Sequence, residues 1–239
     1  MPTFSKKRLY PKEMPDGISI GLGYNLFGGS VLFIETSKSA LAKDSQDVNA
    51  ITEESPGASE GSETGQNIAK NSSEDEKNQK AGAVIFTGSL GDVMKESVQI
   101  AHTFAKHLCF DRFETDFLEK NDIHIHFPEG ASKKDGPSAG ITITSAFVSL
   151  ATGKPISGEI GMTGEISLNG KILKIGGLRE KILAARREGL NQIIVPYSNR
   201  IDVDELSENI TEGITFHYVK HYNEACDILF GGLREKVAA

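Results

Sequence analysis

PEGASKKDGPSAGITITSAFVSLAT, from Pro128 to Thr152, passes from a polar loop to a long apolar run, and the change falls at Ser138. The residues around this serine read Gly-Pro-Ser-Ala-Gly. Because Pro is favoured at the first helical position and Ser suits a helix N-terminus, the stretch predicts a helix that starts at Pro137. Ser138 then lies in the first turn, at the positive end of the helix dipole.

Three interpretations fit this serine. It can be a plain helix start. It can be the nucleophile elbow of an α/β-hydrolase-like esterase, since residues 136–140 match G-x-S-x-G. It can also be a nucleophile that is activated by a base other than histidine. An elbow needs a strand that runs directly into the serine, whereas the last strand-like residue here is Phe127 and a loop follows it. The acid and histidine of an esterase triad would come from Asp202 or Asp204 and from His217 or His221.

Composition limits the classes of protein that fit. The chain has 239 residues and a formal net charge of −7, so its overall charge gives no footprint for nucleic acid or an anionic membrane. No apolar run approaches the roughly 20 residues of a membrane helix, which predicts a soluble chain without membrane insertion. The two cysteines, Cys109 and Cys226, lie far apart in the sequence without C-x-x-C spacing. This is typical of a protein in a reducing compartment and argues against a zinc site.

One segment differs in composition from the rest. Ser37 to Lys80 contains nine acidic and five basic residues and no aromatic residue. Such a segment cannot bury enough apolar surface to offset its ordering entropy. We therefore predict a disordered acidic insertion at 37–80, which separates the N-terminal strands in 1–36 from the remainder of the domain in 81–239.

The other segments alternate between strand and helix patterns. Strands are predicted at 17–25, 30–35, 83–88, 122–127 and 192–197, with helices at 91–108, 137–152 and 177–189 and a strand and helix in the tail. Ser89 is the predicted cap of the helix at 91–108. Residues 161–175 predict a hairpin around Asn169-Gly170, a pair suited to a type I′ turn. The fold class is α/β, or α+β, with helices packed on a mixed sheet.

A lysine occupies an apolar position in the helix at 177–189. Leu178, Lys181, Ile182 and Ala185 have the spacing of one buried stripe. Lys181 can snorkel at the helix edge, but full burial would lower its pKa by about 3 to 5 units. A lysine with such a pKa can take the proton of a serine near neutral pH, so Ser138 and Lys181 are candidates for a catalytic dyad.

Two long motifs resemble a known family. PEGASKKDGPSAG and MTGEISLNGKILKIGGLREKILAARREG are similar to the proteolytic domain of the Lon family of ATP-dependent Ser-Lys proteases. Similarity also covers GGSVLFIET, FTGSLGDVMKESVQIA, DIHIHFPEG and FHYVKHYNEACDILF, and so nearly all of the chain outside the insertion. The resemblance implies the Lon protease-domain fold and a serine endopeptidase that degrades unfolded or damaged proteins.

The resemblance also implies roles for individual residues. Ser138 matches the nucleophile of the family and Lys181 its base. Thr163 and Glu165, in MTGE, match positions that line the dyad. Asp135, His124 and His126 match residues at the edge of the active site.

The same family implies partners that lie outside this sequence. No P-loop is present, so ATP and Mg²⁺ would belong to an AAA+ module of the same polypeptide, and this chain would need no cofactor. His124 and His126 share a strand face, but no third ligand has suitable spacing, so no metal site is predicted. The resemblance implies a homohexamer in the mitochondrial matrix, the insertion being typical of fungal forms, and leaves nucleic-acid binding open for the full-length protein only.

One departure from the family pattern qualifies the resemblance. The family's usual GLAWT is GLGYN here, at 21–25, so nothing is inferred from that tryptophan. A non-catalytic structural domain with the same fold is a further alternative. The presence of both Ser138 and Lys181 counts against it.

Overall fold

The computed structural model of the chain describes residues 9–25, 28–39 and 82–231. The strands within these residues are β1 (Ile18–Asn25), β2 (Gly28–Lys38), β3 (Val84–Thr87), β4 (Ile123–His126), β5 (Ile160–Met162), β6 (Glu165–Ile166), β7 (Ile172–Leu173), β8 (Gln192–Pro196) and β9 (Thr215–Val219). The helices are α1 (Asp92–Phe113), α2 (Phe117–Lys120), α3 (Gly140–Thr152), α4 (Leu178–Arg187), α5 (Arg200–Asp204), α6 (Glu208–Thr211) and α7 (Tyr222–Phe230). Two 3₁₀ turns, Pro137–Ala139 and Tyr197–Asn199, precede α3 and α5.

Seven strands form one mixed sheet in the order β3-β4-β2-β1-β5-β8-β9. β2 pairs antiparallel with both β1 and β4, whereas the other neighbouring pairs are parallel. β6 and β7 form a separate antiparallel pair. The prediction of an α/β fold with a mixed sheet is confirmed.

Helices cover both faces of the sheet, as strand alternation along β1 shows. The Ser19 hydroxyl donates a hydrogen bond to the Thr142 carbonyl of α3, so the odd-numbered side chains of β1 face α3. Tyr24, of the opposite parity, lies against the start of α4 at Gly177. The two helices therefore approach β1 from opposite faces of the sheet.

Helix α3 is buried on all sides over most of its length. Every residue from Gly140 to Ser149 is buried, including four with hydroxyl groups. Thr144 and Ser145 donate their hydroxyl hydrogens to the carbonyls of Gly140 and Ile141, one helical turn back, which satisfies these polar groups in the core. Among the helices in the described part of the chain, none is long and apolar enough to cross a membrane.

The predicted insertion begins later than the composition suggests. Ser37 and Lys38 belong to β2, where they pair with His124 and Ile123 of β4. Placing them in a disordered segment was wrong, because ladder pairing with β4 extends the strand through polar residues. The rest of the predicted insertion, from residue 40 to residue 80, lies outside the described residues.

Two local predictions differ from the structure. Helix α1 has Gly91, not Ser89, as its N-cap, and Ser89 adopts a positive φ of 58° in the preceding turn. The hairpin is confined to β6 and β7, because Ile160–Met162 pairs in the main sheet. Its turn is not type I′, since Gly170 has a positive φ of 78° but Asn169 does not.

Gly29 of β2 controls how closely α4 approaches the sheet. A Cβ atom at Gly29 would overlap the Glu180 carbonyl of α4. We expect Gly29→Ala to displace α4 and to lower the free energy of unfolding by about 1–3 kcal/mol, the usual range for overpacking. Urea unfolding with Gly130→Ala as the control, where an added Cβ meets no atom within 4 Å, checks this. Equal stability of the two variants would contradict this packing.

Candidate active site

Ser138 and Lys181 meet at the carboxyl end of β5. The Lys181 Nζ donates hydrogen bonds of 3.0 Å to Ser138 Oγ and of 3.0 Å to Thr163 Oγ1. Ser138 is half-buried at the middle of its 3₁₀ turn, and Lys181 comes from the first turn of α4. The structure therefore brings together three of the residues predicted for the site.

Lys181 is fully buried, although its side chain is one of the longest. Its exposed fraction is 0%, and burial lowers the pKa of its amine to about 8. Desolvation disfavours the ammonium form, and no described charged group contributes a counteracting shift. The predicted lysine in an apolar slot is thus a buried amine and not a snorkelling one.

Thr163 holds the amine and the serine turn at the same time. Its hydroxyl donates to the Ser138 carbonyl at 3.4 Å and accepts from Lys181 Nζ. Its backbone N–H donates to the Ile194 carbonyl of β8 at 3.1 Å, which ties the residue to the sheet. Because the hydroxyl proton points to Ser138, its lone pairs are free to face the amine.

Backbone contacts fix the serine turn against the strand that follows. The Gly164 N–H donates to the Ser138 carbonyl at 2.8 Å, and the Ile141 N–H donates to the Gly164 carbonyl at 3.0 Å. A Cβ atom at Gly140 would come within 2.9 Å of the Ile166 nitrogen. Close approach here therefore requires glycine, a role that G-x-S-x-G does not reveal by itself.

Asp135 is a helix cap and not a partner of the dyad in this structure. Its Oδ1 accepts from the Met94 N–H at 3.1 Å, in the first turn of α1, and from the Gly136 N–H at 3.0 Å. A Cβ atom at Gly91 would overlap the Asp135 carboxylate. Asp135 thereby attaches the loop that leads into Ser138 to the N-terminus of α1, where a negative charge is favourable.

Glu165 lies close to the dyad in sequence but makes no bond to it. The residue is partly buried on β6, where it pairs with Leu173. Its carboxylate forms no hydrogen bond or ion pair with any residue in the ranges that the structure describes. Its role stays a prediction.

His124 and His126 on β4 contact a threonine of β3 and not the dyad. Both contact the Thr87 hydroxyl, with Oγ1 3.0 Å from His124 Nε2 and 2.7 Å from His126 Nδ1. They line a cavity of about 360 Å³ together with Glu35 and Tyr10. His126 is in register with Glu35 of β2, which is in register with Ile18 of β1. Ile18 precedes Tyr24, the β1 residue next to the Lys181 amine, by six residues, or about 20 Å along the strand.

The alternative esterase triad is not assembled. His217 Nε2 contacts Gln192 Oε1 at 3.0 Å, and His221 Nε2 contacts the Asn169 carbonyl at 2.7 Å. Asp202 and Asp204 form ion pairs with Lys174 and Arg200, respectively. These partners occupy the groups that an elbow serine would need, and no strand runs directly into Ser138, since β4 ends at His126.

A serine hydroxyl in contact with a buried lysine amine is the arrangement of hydrolases that activate serine with a lysine base. The chain belongs to the Lon protease family, since the family profile of the Lon protease (S16) C-terminal proteolytic domain matches residues 62–232. The predicted family is confirmed.

Curated relatives agree with this assignment. The chain is 42% identical over 233 residues to the Lon protease homolog, mitochondrial, of Drosophila melanogaster, covering 97% of this chain and 20% of the relative. It is 40% identical over 230 residues to the Homo sapiens protein of the same name, covering 96% and 21%. Lon protease 1 of Borreliella burgdorferi is 41% identical over 231 residues, covering 96% and 24%. The chain therefore spans about a fifth to a quarter of these relatives.

Burial of Lys181 has a cost that depends on pH. Below pH 8 the lysine is protonated in both folded and unfolded chains, and the depression of its pKa from 10.5 to about 8 costs on the order of 3 kcal/mol. Between those values the unfolded chain binds the extra proton, so stability rises with pH. Above pH 10.5 the amine is neutral in both states.

We expect Lys181→Met to raise the free energy of unfolding by about 1–2 kcal/mol at pH 7, because loss of two hydrogen bonds offsets part of the gain. The gain should fall to zero near pH 9, and by pH 10.5 the variant should be less stable than the wild type because only the loss of the hydrogen bonds remains. Urea unfolding at several pH values checks this, with the exposed Lys171→Met as the control. A loss of stability that does not change with pH would contradict burial of the ammonium.

Removal of the Asp135 side chain, which caps α1, should weaken the start of this helix. We expect Asp135→Ala to lower the free energy of unfolding by about 1 kcal/mol, since the Met94 and Gly136 N–H groups lose their acceptor. Asp135→Asn keeps a side-chain oxygen and should cost less than half as much. Asp92→Ala, which removes an exposed acid at the same helix end, is the control in thermal unfolding. Equal effects of Asp135→Ala and Asp92→Ala would rule out the cap.

Proposed function

We propose that the chain is a serine endopeptidase in which Ser138 is the nucleophile and Lys181 is the general base. The observation that carries the proposal is the 3.0 Å contact between Lys181 Nζ and Ser138 Oγ, made by an amine that burial keeps at a pKa of about 8. At pH 8 about half of such amines are neutral and able to accept a proton. A free lysine, with a pKa near 10.4, would be almost entirely protonated.

Attack on the peptide begins with proton transfer within the dyad. The neutral Lys181 amine takes the hydroxyl proton of Ser138 as Oγ forms a bond to the scissile carbonyl carbon. The resulting ammonium returns the proton to the leaving amine, and the C–N bond breaks to leave an acyl-enzyme. Water then attacks the acyl carbon with Lys181 again as the base, and the ammonium returns this proton to Ser138 Oγ as the Oγ–C ester bond breaks and the acid product leaves. Thr163 keeps the amine in line throughout, because it accepts a hydrogen bond in either protonation state.

The negative oxygen of the tetrahedral intermediate needs donors next to Ser138. Backbone N–H groups in the first turn of a helix have no partner within the helix, and here they start the continuous element formed by the 3₁₀ turn and α3. The positive end of the α3 dipole adds to their effect. The Gly140 N–H donates to the Pro137 carbonyl and the Ile141 N–H to the Gly164 carbonyl, so we assign the oxyanion to the N–H groups of Ser138 and Ala139.

Substrates and assembly follow from the family. Lon proteases are peptidases and act on protein substrates; for this protein we propose unfolded or damaged proteins. The relatives from Drosophila melanogaster and Homo sapiens are named as mitochondrial, and the mitochondrial matrix is the proposed location. An AAA+ module of the same polypeptide would bind ATP and Mg²⁺, and a homohexameric ring would enclose the sites. Nucleic-acid binding is reserved for the full-length protein.

Four proteins test the dyad: the wild type, Ser138→Ala, Lys181→Met and the double variant. We expect each single variant to lose peptide cleavage by at least about 10³-fold and the double variant to be no worse, because residues that act as a unit are not additive. A fluorogenic unstructured peptide is the substrate, with melting curves to confirm folding. His217→Ala should keep wild-type turnover.

The same assay gives the pH profile of peptide cleavage and the results that would overturn the dyad. Wild-type activity should rise with pH to a plateau with a midpoint near 8, following deprotonation of Lys181. Near wild-type turnover by Lys181→Met, or loss by His217→Ala, would overturn the dyad. A folded wild type without peptidase activity in the full-length assembly would favour the non-catalytic alternative.

A further inference from the structure

The ring of Tyr24 lies next to the amine of Lys181. Lys181 Nζ lies 5.5 Å from the centroid of the Tyr24 ring, while it bonds to the two hydroxyls. The ring is 54% exposed, whereas the lysine beneath it is 0% exposed. An exposed side chain therefore forms the boundary between a buried amine and solvent.

The same ring also contacts the start of α4. Gly177, the N-cap of α4, has a positive φ of 65°, and a Cβ atom there would overlap the Tyr24 ring. A Cβ atom on Gly176 would lie 3.5 Å from the Tyr24 hydroxyl oxygen. The Gly177 carbonyl accepts the 3.1 Å hydrogen bond from the Lys181 N–H, so the ring lies against the turn that orients this lysine.

Tyr24 and Gly29 act as a pair beneath α4. They face each other in the register of β1 and β2. Gly29 allows the Glu180 carbonyl to come close to the sheet, and its own carbonyl accepts a 2.6 Å hydrogen bond from Arg187 at the far end of α4. The large residue of this pair therefore fills the space at the lysine, while the small one lets the helix backbone approach.

The two hydroxyls and the ring that contact the amine belong to uncharged side chains. Ser138 faces it from the 3₁₀ turn, Thr163 from the end of β5 and Tyr24 from β1. Glu165 of β6 and Glu180 of α4 form no ion pair with Lys181. Removing a charge therefore cannot be the route by which a change at Tyr24 acts.

We propose that Tyr24 is a positioning residue that keeps water from the Lys181 amine and holds the Gly176–Gly177 turn at the start of α4. The proposal rests on the proposed dyad for its effect on activity. Tyr24 acts through the lysine and needs no contact with the substrate.

The ring has two opposing effects on the pKa of Lys181, and the direction in which this pKa is shifted shows which effect is larger. The face of an aromatic ring attracts an ammonium and would raise its pKa, whereas exclusion of water lowers it. The pKa of Lys181 is lowered despite the ring, and burial is the cause. Loss of the ring should therefore raise the pKa towards 10.5.

The first readout does not depend on catalysis. The rate at which acetic anhydride labels the Lys181 amine, followed by mass spectrometry across pH 6 to 11, gives the midpoint of its titration in the Ser138→Ala background. We expect Tyr24→Ala to raise this midpoint by about one pH unit, because water reaches the amine. Tyr24→Phe keeps the ring and should leave the midpoint unchanged.

The second readout is the pH profile of peptide cleavage with Ser138 intact. For Tyr24→Ala we expect about a tenfold loss at pH 7 that largely recovers by pH 10, since a shift of one pKa unit is a tenfold change in the neutral fraction. Tyr24→Phe should behave as the wild type. Tyr197→Ala is the matched control, because Tyr197 is 44% exposed and has the Lys220 amine over its ring at 4.3 Å.

Tyr24→Leu distinguishes the two effects of the ring. If Tyr24→Ala does not fold, Tyr24→Thr replaces it, since threonine suits a strand and is too small to cover the amine. An apolar cover without a π face should hold the midpoint within about half a unit of the wild type. A fall of the midpoint in both Ala and Leu variants would overturn the proposal in favour of cation–π attraction. An unchanged midpoint in folded Tyr24→Ala would also overturn it.

The labelling readout separates this proposal from the proposed function. If Lys181→Met stays active while Tyr24→Ala still raises the labelling midpoint, the dyad fails and the role of Tyr24 in shielding the amine survives. If Lys181→Met is inactive and Tyr24→Ala leaves the midpoint unchanged, the dyad survives and the role of Tyr24 fails.

Discussion

Exclusion of water from one amine is the constraint on which the rest of this structure depends. The proposed role of Lys181 as a base near neutral pH depends on the burial that lowers its pKa to about 8. That burial needs α4 pressed against Gly29, Thr163 held to β8 and the serine turn fixed by Gly164. Each contact acts through the backbone or through a hydroxyl. The site is thus a property of how four segments pack, and its chemistry follows from a low local polarity without a neighbouring charge.

Local patterns were sufficient for most of the fold and for the two central residues. The periodicity that predicted α4 also exposed Lys181, because a lysine is rarely found at a fully buried position of a helix unless it has a specific role there. Ser138 was found from its position at a helix start after Gly and Pro. Both signals are contained within about ten residues of sequence. The strands next to them were equally well marked, since apolar residues alternate there with small or polar ones.

Features that depend on distant contacts could not be predicted in this way. Asp135 caps a helix that begins 43 residues earlier at Asp92, and nothing near Asp135 in sequence indicates that partner. Ser37 and Lys38 read as part of a polar insertion, yet β4 provides their ladder. His124 and His126 matched positions at an active-site edge. The strand register instead places His126 about 20 Å from Tyr24 along the strand direction. In each case the deciding contact comes from another part of the chain.

The sheet lies between the helices that carry Ser138 and Lys181. Ser138 leads into a helix on one face, while Lys181 belongs to a helix on the other, and they meet only where β5 ends. A chain that has formed only one layer has a hydroxyl and an ammonium exposed to water, neither of them reactive towards peptides. In the proposed mechanism, peptide cleavage therefore requires helices packed on both faces of the sheet.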